Sequence, residues 1–206
     1  MILGFAHLAV NVADLLGEEA LWCKEGYTRN AIYLATPNHP SKKRYTFTYH
    51  PSHDLMLLTG AHLWPLELTS HGATYSVNKQ LKWGREFILI TVPDPAPLQR
   101  LLVDGLGFRM AEDGTLILDS CLPGWTCRLR LQIGETAPVS LDATGPTCLA
   151  FYCNRIEEDT QRLLGLGATD HTDPFDISLG ARDMTIAMLR APGGLLIELI
   201  NPRKKI

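Results

Sequence analysis

Several features that would direct this chain to a membrane, to secretion or to an oxidising compartment are missing from its sequence. No apolar run reaches the roughly 20 residues that a membrane-spanning helix needs. The first residues contain neither a basic segment nor a cleavage site, so we expect no secretion signal. The 206-residue chain has five cysteines, an odd number, and no two have the spacing of a zinc ribbon or a redox motif. We therefore expect a reduced, cytoplasmic protein.

An excess of positive charge is also absent. The net charge is −3 and no basic stripe is visible, which argues against a nucleic-acid partner. The dense basic runs are Lys42-Lys43-Arg44 and the tail Arg203-Lys204-Lys205, and we predict that each lies in solvent. The hydrophobic fraction of 46% is enough to build a sizeable core in one large domain or two small ones.

A pattern that occurs three times is the main feature of the sequence. Each copy has a short apolar run, then apolar residues at helical spacing, and later a strand in which apolar residues alternate. The apolar runs begin at His7, Phe87 and Cys148. The glycines that follow the helices, where they suit a left-handed cap, are Gly26, Gly107 and Gly167. The pattern predicts a strand, a helix and further strands, repeated three times.

Parts of these copies resemble a known family. The opening Phe5–Asp14 resembles the first strand of a module of the vicinal oxygen chelate superfamily, the glyoxalase, bleomycin-resistance and extradiol-dioxygenase group. The ending Arg190–Ile200 is similar to the last hairpin of such a module. Gly145–Phe151 also matches, except that Cys148 stands where the family usually has histidine. The resemblance implies an α+β fold of repeated βαβββ modules, with curved half-barrel sheets and helices outside.

The resemblance divides the chain into module one at 1–72, module two at 85–135 and module three at 147–206. Because such modules act in pairs, we expect modules two and three to form one barrel. Module one would then pair with its twin in a homodimer, which closed twofold symmetry makes common. If module one instead pairs inside the chain, the shared site holds two or three usable metal ligands.

In the family, one metal ligand comes from the first strand and one from the last strand of each module. Strand alternation places His7 and Glu67 on the inner face of module one, so both ligand positions are filled there. Imidazole and carboxylate suit Zn²⁺, Fe²⁺, Mn²⁺ or Ni²⁺. Module three keeps Glu198 as a ligand, whereas we favour Cys148 as a small buried side chain.

Module two departs from the family pattern. Phe87 and Arg130 stand at its ligand positions, and neither side chain can bind a metal ion. Arg130 is a candidate to bind an anionic substrate or to pair with Glu198, and Tyr152 is a candidate to line the ligand cavity. The segment His50-Pro51-Ser52-His53 is predicted to be a surface loop.

Two functions from different classes follow from the resemblance. The first is a divalent-metal-dependent lyase, isomerase or ring-cleaving oxygenase that acts on a small oxygenated metabolite, with Glu67 as its catalytic base. The second is a metal-free protein that binds small molecules or sequesters an antibiotic, as in the bleomycin-resistance branch. The changed ligand positions of modules two and three favour this second hypothesis.

Overall fold

A computed structural model describes residues 1–37, 39–61, 63–71, 76–84, 86–120 and 126–203. Its α-helices are α1 (Leu15–Lys24), α2 (Pro95–Arg100), which continues as a π-helical turn to Gly105, and α3 (Ile156–Gly165). None of the helices in these residues is both long enough and apolar enough to cross a membrane.

The strands fall into three groups along the chain. The first group is β1 (Ile2–Asn11), β2 (Tyr27–Pro37), β3 (Ser52–Gly60) and β4 (Leu66–Ser70). The second group is β5 (Leu81–Lys82), β6 (Ile88–Val92), β7 (Arg109–Met110), β8 (Leu116–Leu118) and β9 (Cys127–Ile133). The third group is β10 (Gly145–Cys153), β11 (Phe175–Leu179), β12 (Arg182–Arg190) and β13 (Leu196–Pro202).

The same topology occurs in all three groups. An opening strand leads into a helix, three strands follow, and the opening strand lies parallel to the last one. These parallel pairs are β1 with β4, β6 with β9, and β10 with β13. The short β5 is an additional strand at the edge beside β6. The predicted α+β fold of repeated βαβββ modules is confirmed, and the chain has a glyoxalase-like fold.

The pairing of the modules differs from the expected one. Strand β1 pairs with β10 in antiparallel fashion, so the first and third groups form one eight-stranded sheet in the order β11-β12-β13-β10-β1-β4-β3-β2. The second group forms a separate five-stranded sheet in the order β5-β6-β9-β8-β7. The expectation that modules two and three form the barrel is therefore wrong, because the free edge of β10 is taken by β1.

The module boundaries 1–72, 85–135 and 147–206 stay a prediction, and the ends at 72, 85 and 206 lie outside the described residues.

Local chemistry explains where the helices begin and end. At the start of α1, a side-chain oxygen of Asp14 accepts hydrogen bonds from the backbone N–H groups of Leu16 and Gly17, at 3.1 Å each. After α1 and α3 the chain turns at Gly26 and Gly167, with φ of 97° and 94°. Residues that carry a side chain rarely adopt such backbone angles, whereas glycine does, so glycine permits the turn into the next strand.

Aromatic side chains on one face of the large sheet form the centre of the core. Phe5 of β1 packs edge-on against Trp64 and against Phe151 of β10, with ring centroids 6.2 Å and 5.8 Å apart. Phe151 in turn contacts Phe108 of the middle group at 6.0 Å. The five-stranded sheet with its helix therefore covers this face, and the opposite, concave face of the large sheet is left for a site.

We predict that Phe5→Ala destabilises the protein by about 3–5 kcal/mol, because it removes a fully buried ring at the joint of β1 and β10. The matched control is Phe47→Ala, since this ring is 70% exposed and its loss should cost at most about 0.5 kcal/mol. Denaturant unfolding of the two variants measures both values. Equal losses in the two variants would contradict the role of Phe5 in the joint.

Candidate metal centre

Two strand pairings bring His7 and Glu198 together. The register pairs His7 of β1 with Ala150 of β10, and the same Ala150 with Glu198 of β13. The small methyl group of Ala150 therefore lies between the two longer side chains and leaves room for them to converge. The β1–β10 register also shifts between Phe5 and His7, which leaves Ala6 as an extra residue in a bulge. Bulges of this kind re-aim the side chains beside them.

Glu67 reaches the same place from the other side of β1. It lies beside Ala9 in the parallel β1–β4 pair, and Ala9 also faces Cys148 of β10. The two module halves are thus arranged alike, with an alanine between a glutamate and the residue at the histidine position. In this arrangement Cys148 of module three corresponds to His7 of module one.

His7, Glu67 and Glu198 form a buried cluster. One ligand atom from each of them lies within 4.8 Å of the others. The Nε2 atom of His7 lies 3.6 Å from Oε2 of Glu67 and 3.5 Å from Oε2 of Glu198. This nitrogen is buried and has no hydrogen-bond partner among the described residues.

The donor atoms fit a divalent metal ion. Nitrogen and carboxylate ligands of zinc lie about 2.0–2.2 Å from the ion in tetrahedral geometry, so two ligand atoms of one ion are about 3.4 Å apart. The His7–glutamate separations are close to that value. The Nε2 atom of His7 lies between two carboxylates without a hydrogen-bond partner, and a bound metal ion would satisfy it. The cluster could therefore hold such an ion.

The two carboxylates of the cluster differ in electrostatic environment. Burial raises the pKa of Glu67, and the nearby carboxylate of Glu198 adds to the rise. Burial also acts on Glu198, but the charges of Lys42 and His7 outweigh it and lower the pKa of this carboxyl group. Burial disfavours the imidazolium form of His7, yet the two carboxylates raise its pKa. Glu67 is thus the more basic carboxylate of the two.

Lys42 also belongs to this group of charges. Its Nζ lies 3.9 Å from Oε1 of Glu198, and its side chain is only 13% exposed. The prediction that the Lys42-Lys43-Arg44 run lies in solvent is therefore wrong for Lys42, whereas Lys43 is exposed. The reason is that a 3₁₀ segment, Pro40–Tyr45, turns one lysine of the run inward. No feature of the sequence distinguishes that lysine from its neighbours.

Cys148 is outside the set of atoms that could share a metal ion, as far as the described residues go. Its Sγ points to the backbone oxygen of Leu149 at 3.7 Å. Burial raises the pKa of this thiol well above its ordinary range, and the carboxylates of Glu198 and Glu67 act in the same direction. Cys148 packs as a small buried side chain in an apolar cluster that includes Ala9, Met188 and Leu196.

A cavity of about 820 Å³ opens in front of the cluster, between the two halves of the large sheet. Its walls include His7, Glu67, Glu198 and Lys42. The apolar part of the wall comes from both halves and includes Leu55, Leu57, Phe175, Ile177, Met184 and Ile186. Tyr152, predicted to line the ligand cavity, also lies in the wall. Burial raises the pKa of its hydroxyl.

A stacked pair of histidines lies at another part of the concave face. His53 lines the cavity and stacks on His71 with ring centroids 4.5 Å apart. The rings are 5% and 3% exposed, so the prediction of a surface loop is wrong for His53. Strand β3 begins at Ser52, and His53 points to the same face as Leu55 and Leu57. An alternation pattern extended two residues further would have found it.

Arg130 is not brought to this cavity. It lies on β9 of the five-stranded sheet, where its Nη2 is 2.7 Å from Oδ2 of Asp113 and its Nε donates to Oγ1 of Thr115 at 3.0 Å. Its guanidinium also lies over the Phe87 ring, 4.3 Å from the centroid. Among the described residues, Arg130 is not part of this cavity wall, and its ion pair is with Asp113 rather than Glu198, because it belongs to the module outside the large sheet. Its contact with an anionic substrate stays a prediction.

Comparison with solved structures finds similar chains, although no protein-family model and no curated protein matches this sequence. Methylmalonyl-CoA epimerase from Mycobacterium tuberculosis matches at 13% identity and a TM-score of 0.49, over 99% of this chain and 91% of that one. Glyoxalase I from Zea mays matches at 15% identity and a TM-score of 0.41, over 96% of this chain and 67% of that one. An integron cassette protein from V. cholerae matches at 19% identity and a TM-score of 0.39, over 55% of this chain and 90% of that one.

These similarities concern the fold alone. The strand order and the parallel pairing within each module are themselves those of a glyoxalase-like fold. The predicted fold of repeated βαβββ modules is thus confirmed by the strand order and the pairing within this chain.

We predict that stability falls as the pH drops below about 6.5, because His53 and His71 are buried as neutral rings. Burial, with the charge of Lys42, lowers the pKa of His53 to about 2 and that of His71 to about 4. The unfolded chain binds these two protons near pH 6.5, so between pH 6.5 and 4 each histidine lowers the unfolding free energy by about 1.4 kcal/mol per pH unit. Above pH 6.5 this loss disappears.

Denaturant unfolding of wild type and of His53→Leu at pH 7, 6 and 5 measures this effect. The variant should lose stability less steeply, by about 1.4 kcal/mol per pH unit. An unchanged slope would mean that His53 takes up its proton in the folded protein.

Proposed function

We propose that this protein is a divalent-metal-dependent enzyme that acts on a small oxygenated metabolite. His7, Glu67 and Glu198 would hold the ion. When bound, such an ion would act as a Lewis acid on neighbouring oxygens of the substrate. Lyase, isomerase and ring-cleaving oxygenase chemistry all suit this description.

The observation that carries the proposal is the unpartnered Nε2 of His7 between two buried carboxylates. A buried polar nitrogen without a hydrogen bond costs free energy unless a ligand satisfies it. Two glutamates buried together cost still more unless a cation compensates them. Lys42 compensates Glu198 in part, and one ion bound to all three residues would remove what is left of both costs.

Glu67 is the proposed catalytic base. It lies in the cavity wall, where a substrate could reach it. With no ion bound, burial raises the pKa of Glu67, whereas Lys42 and His7 lower that of Glu198, so Glu67 is the more basic of the two carboxylates. Two carboxylates whose pKa values are pushed apart are typical of sites that divide the roles of base and electrostatic support.

The cavity supports a substrate with an oxygen-bearing head and an apolar body. The cluster supplies one set of polar groups, and leucine, isoleucine, methionine and phenylalanine side chains form much of the wall beside it. Further polar residues of the wall include Asn30, Asp176, Ser178, Arg182, Asp183 and Arg203. Tyr152 would contact the substrate through its hydroxyl group. A volume of about 820 Å³ admits a small metabolite with room to spare.

A metal-free binding protein is the second candidate, and one observation favours it. The ammonium group of Lys42 interacts with the carboxylates of Glu67 and Glu198. The negative charge of the cluster is therefore partly compensated even when no metal ion is bound. The apolar cavity would then bind its ligand without chemistry.

We predict that the purified protein contains about one divalent ion per chain, and that His7→Ala and Glu67→Ala each lose it because a ligand is removed. Glu112→Gln is the matched control, since Glu112 is exposed and away from the cavity wall. Elemental analysis after exhaustive dialysis measures the content. A wild-type protein without metal, even after supplementation with Zn²⁺, Mn²⁺, Fe²⁺ and Ni²⁺, would exclude the metal-dependent function.

The expected homodimer and the cytoplasmic location stay predictions. The structure makes a shared site between two chains unnecessary, because His7, Glu67 and Glu198 converge within one chain. If dimers form, a sedimentation mass should be twice the chain mass of 22.9 kDa, and the metal content per chain should not depend on dilution.

A further inference from the structure

The lysine at the cluster is carried by a segment that is fixed in place. We call residues 39–51, between β2 and β3, the strap. Tyr45 anchors it on the third module, where its Oη donates to the backbone oxygen of Met188 at 3.2 Å and its ring is 2% exposed. Arg44 pairs with Asp170 at 3.0 Å. The strap therefore spans from module one to module three beside the cavity.

The strap is also anchored further along. The backbone N–H groups of Phe47 and Thr48 donate to the carboxylate of Asp142 at 2.9 and 2.8 Å. Leu141 donates its backbone N–H to the carbonyl of Tyr45 at 2.9 Å. Lys42 lies only three residues before Tyr45, so its ammonium group is held near the cluster rather than reaching it by chance.

Room for this ammonium group comes from the asymmetry of the two modules. The position that corresponds to His7 in module three is filled by Cys148, whose side chain is shorter than a histidine. Lys42 interacts electrostatically with Glu198, Glu67 and Cys148. The lysine therefore approaches the side of the cluster where a second imidazole would otherwise stand.

The charge of Lys42 suits this place. Its Nζ lies 3.9 Å from Oε1 of Glu198, and the two side chains are 13% and 5% exposed. Two buried carboxylates with one imidazole lack positive charge, and an ammonium group supplies it. A divalent ion bound to the same carboxylates would lie close to this fixed positive charge and would share Glu198 with it.

We propose that Lys42 is the resident counter-ion of the His7–Glu67–Glu198 cluster and that it limits the affinity of the cluster for a divalent metal ion. The proposal rests on the metal site of the proposed function. It assigns to the strap a role in metal affinity and selectivity, since an ion must compete with a tethered ammonium group for Glu198. Weakly held ions would be excluded by this competition.

The test is a titration of the metal-free protein with Zn²⁺ by calorimetry and with Co²⁺ by visible absorption. Lys42→Met should bind both ions at least about tenfold more tightly than wild type, because the like charge and the competition for Glu198 are removed. Lys43→Met is the matched control, since it deletes an exposed neighbouring charge of the same strap and should change affinity less than about twofold. Lys42→Gln provides a polar neutral variant should the methionine variant fail to fold.

The outcomes separate this inference from the proposed function. If wild type binds metal and the Lys42 variants bind it no more tightly, the inference is overturned while the metal site stands. If only the Lys42 variants bind metal, the inference is supported and the metal-dependent function of the natural protein fails. If no variant binds either ion, both are overturned.

Discussion

The antiparallel contact between β1 and β10 is the interaction on which the candidate site depends. Module one alone offers His7 and Glu67, and module three alone offers Glu198. The register that pairs His7 with Ala150, and Ala150 with Glu198, places these groups at one point of the concave face. The cavity has walls from both modules, so it too exists only because this edge is joined.

Joining the modules creates a problem of charge that the rest of the structure must solve. Two carboxylates become buried within a few ångströms of one imidazole, and buried carboxylates are costly without nearby positive charge. The strap between β2 and β3 brings Lys42 to Glu198. Its anchors on Met188 and Asp142 lie in the part of the chain that contributes Glu198 or leads into it. The pairing of β1 with β10 therefore brings together the carboxylates and also the two modules between which the strap holds Lys42.

Sequence alone could predict the modules and much of the cluster, because both follow from local periodicity. Alternation along a strand assigns a face to His7 and Glu67, and the repeat carries the same assignment to Glu198. It could not predict which modules pair, since the opening runs of the three copies are similarly apolar and the choice depends on contacts across the whole chain. The buried position of Lys42 could not be predicted either, because nothing in the sequence indicates which lysine of a basic loop points inward.

The middle module explains why the odd number of copies is tolerated. Its buried residues Ile88, Ile90 and Leu129 join the core beneath the large sheet, so this module covers the face opposite the cavity. In the part of the chain that the structure describes, its five-stranded sheet is joined to no other module. Phe87 and Arg130 hold the register positions of His7 and Glu67, and they stack on each other instead. A cation–π contact at a half-exposed surface needs no metal and no cavity. The changed ligand positions thus belong to the copy outside the cavity, and they leave His7, Glu67 and Glu198 together where modules one and three meet.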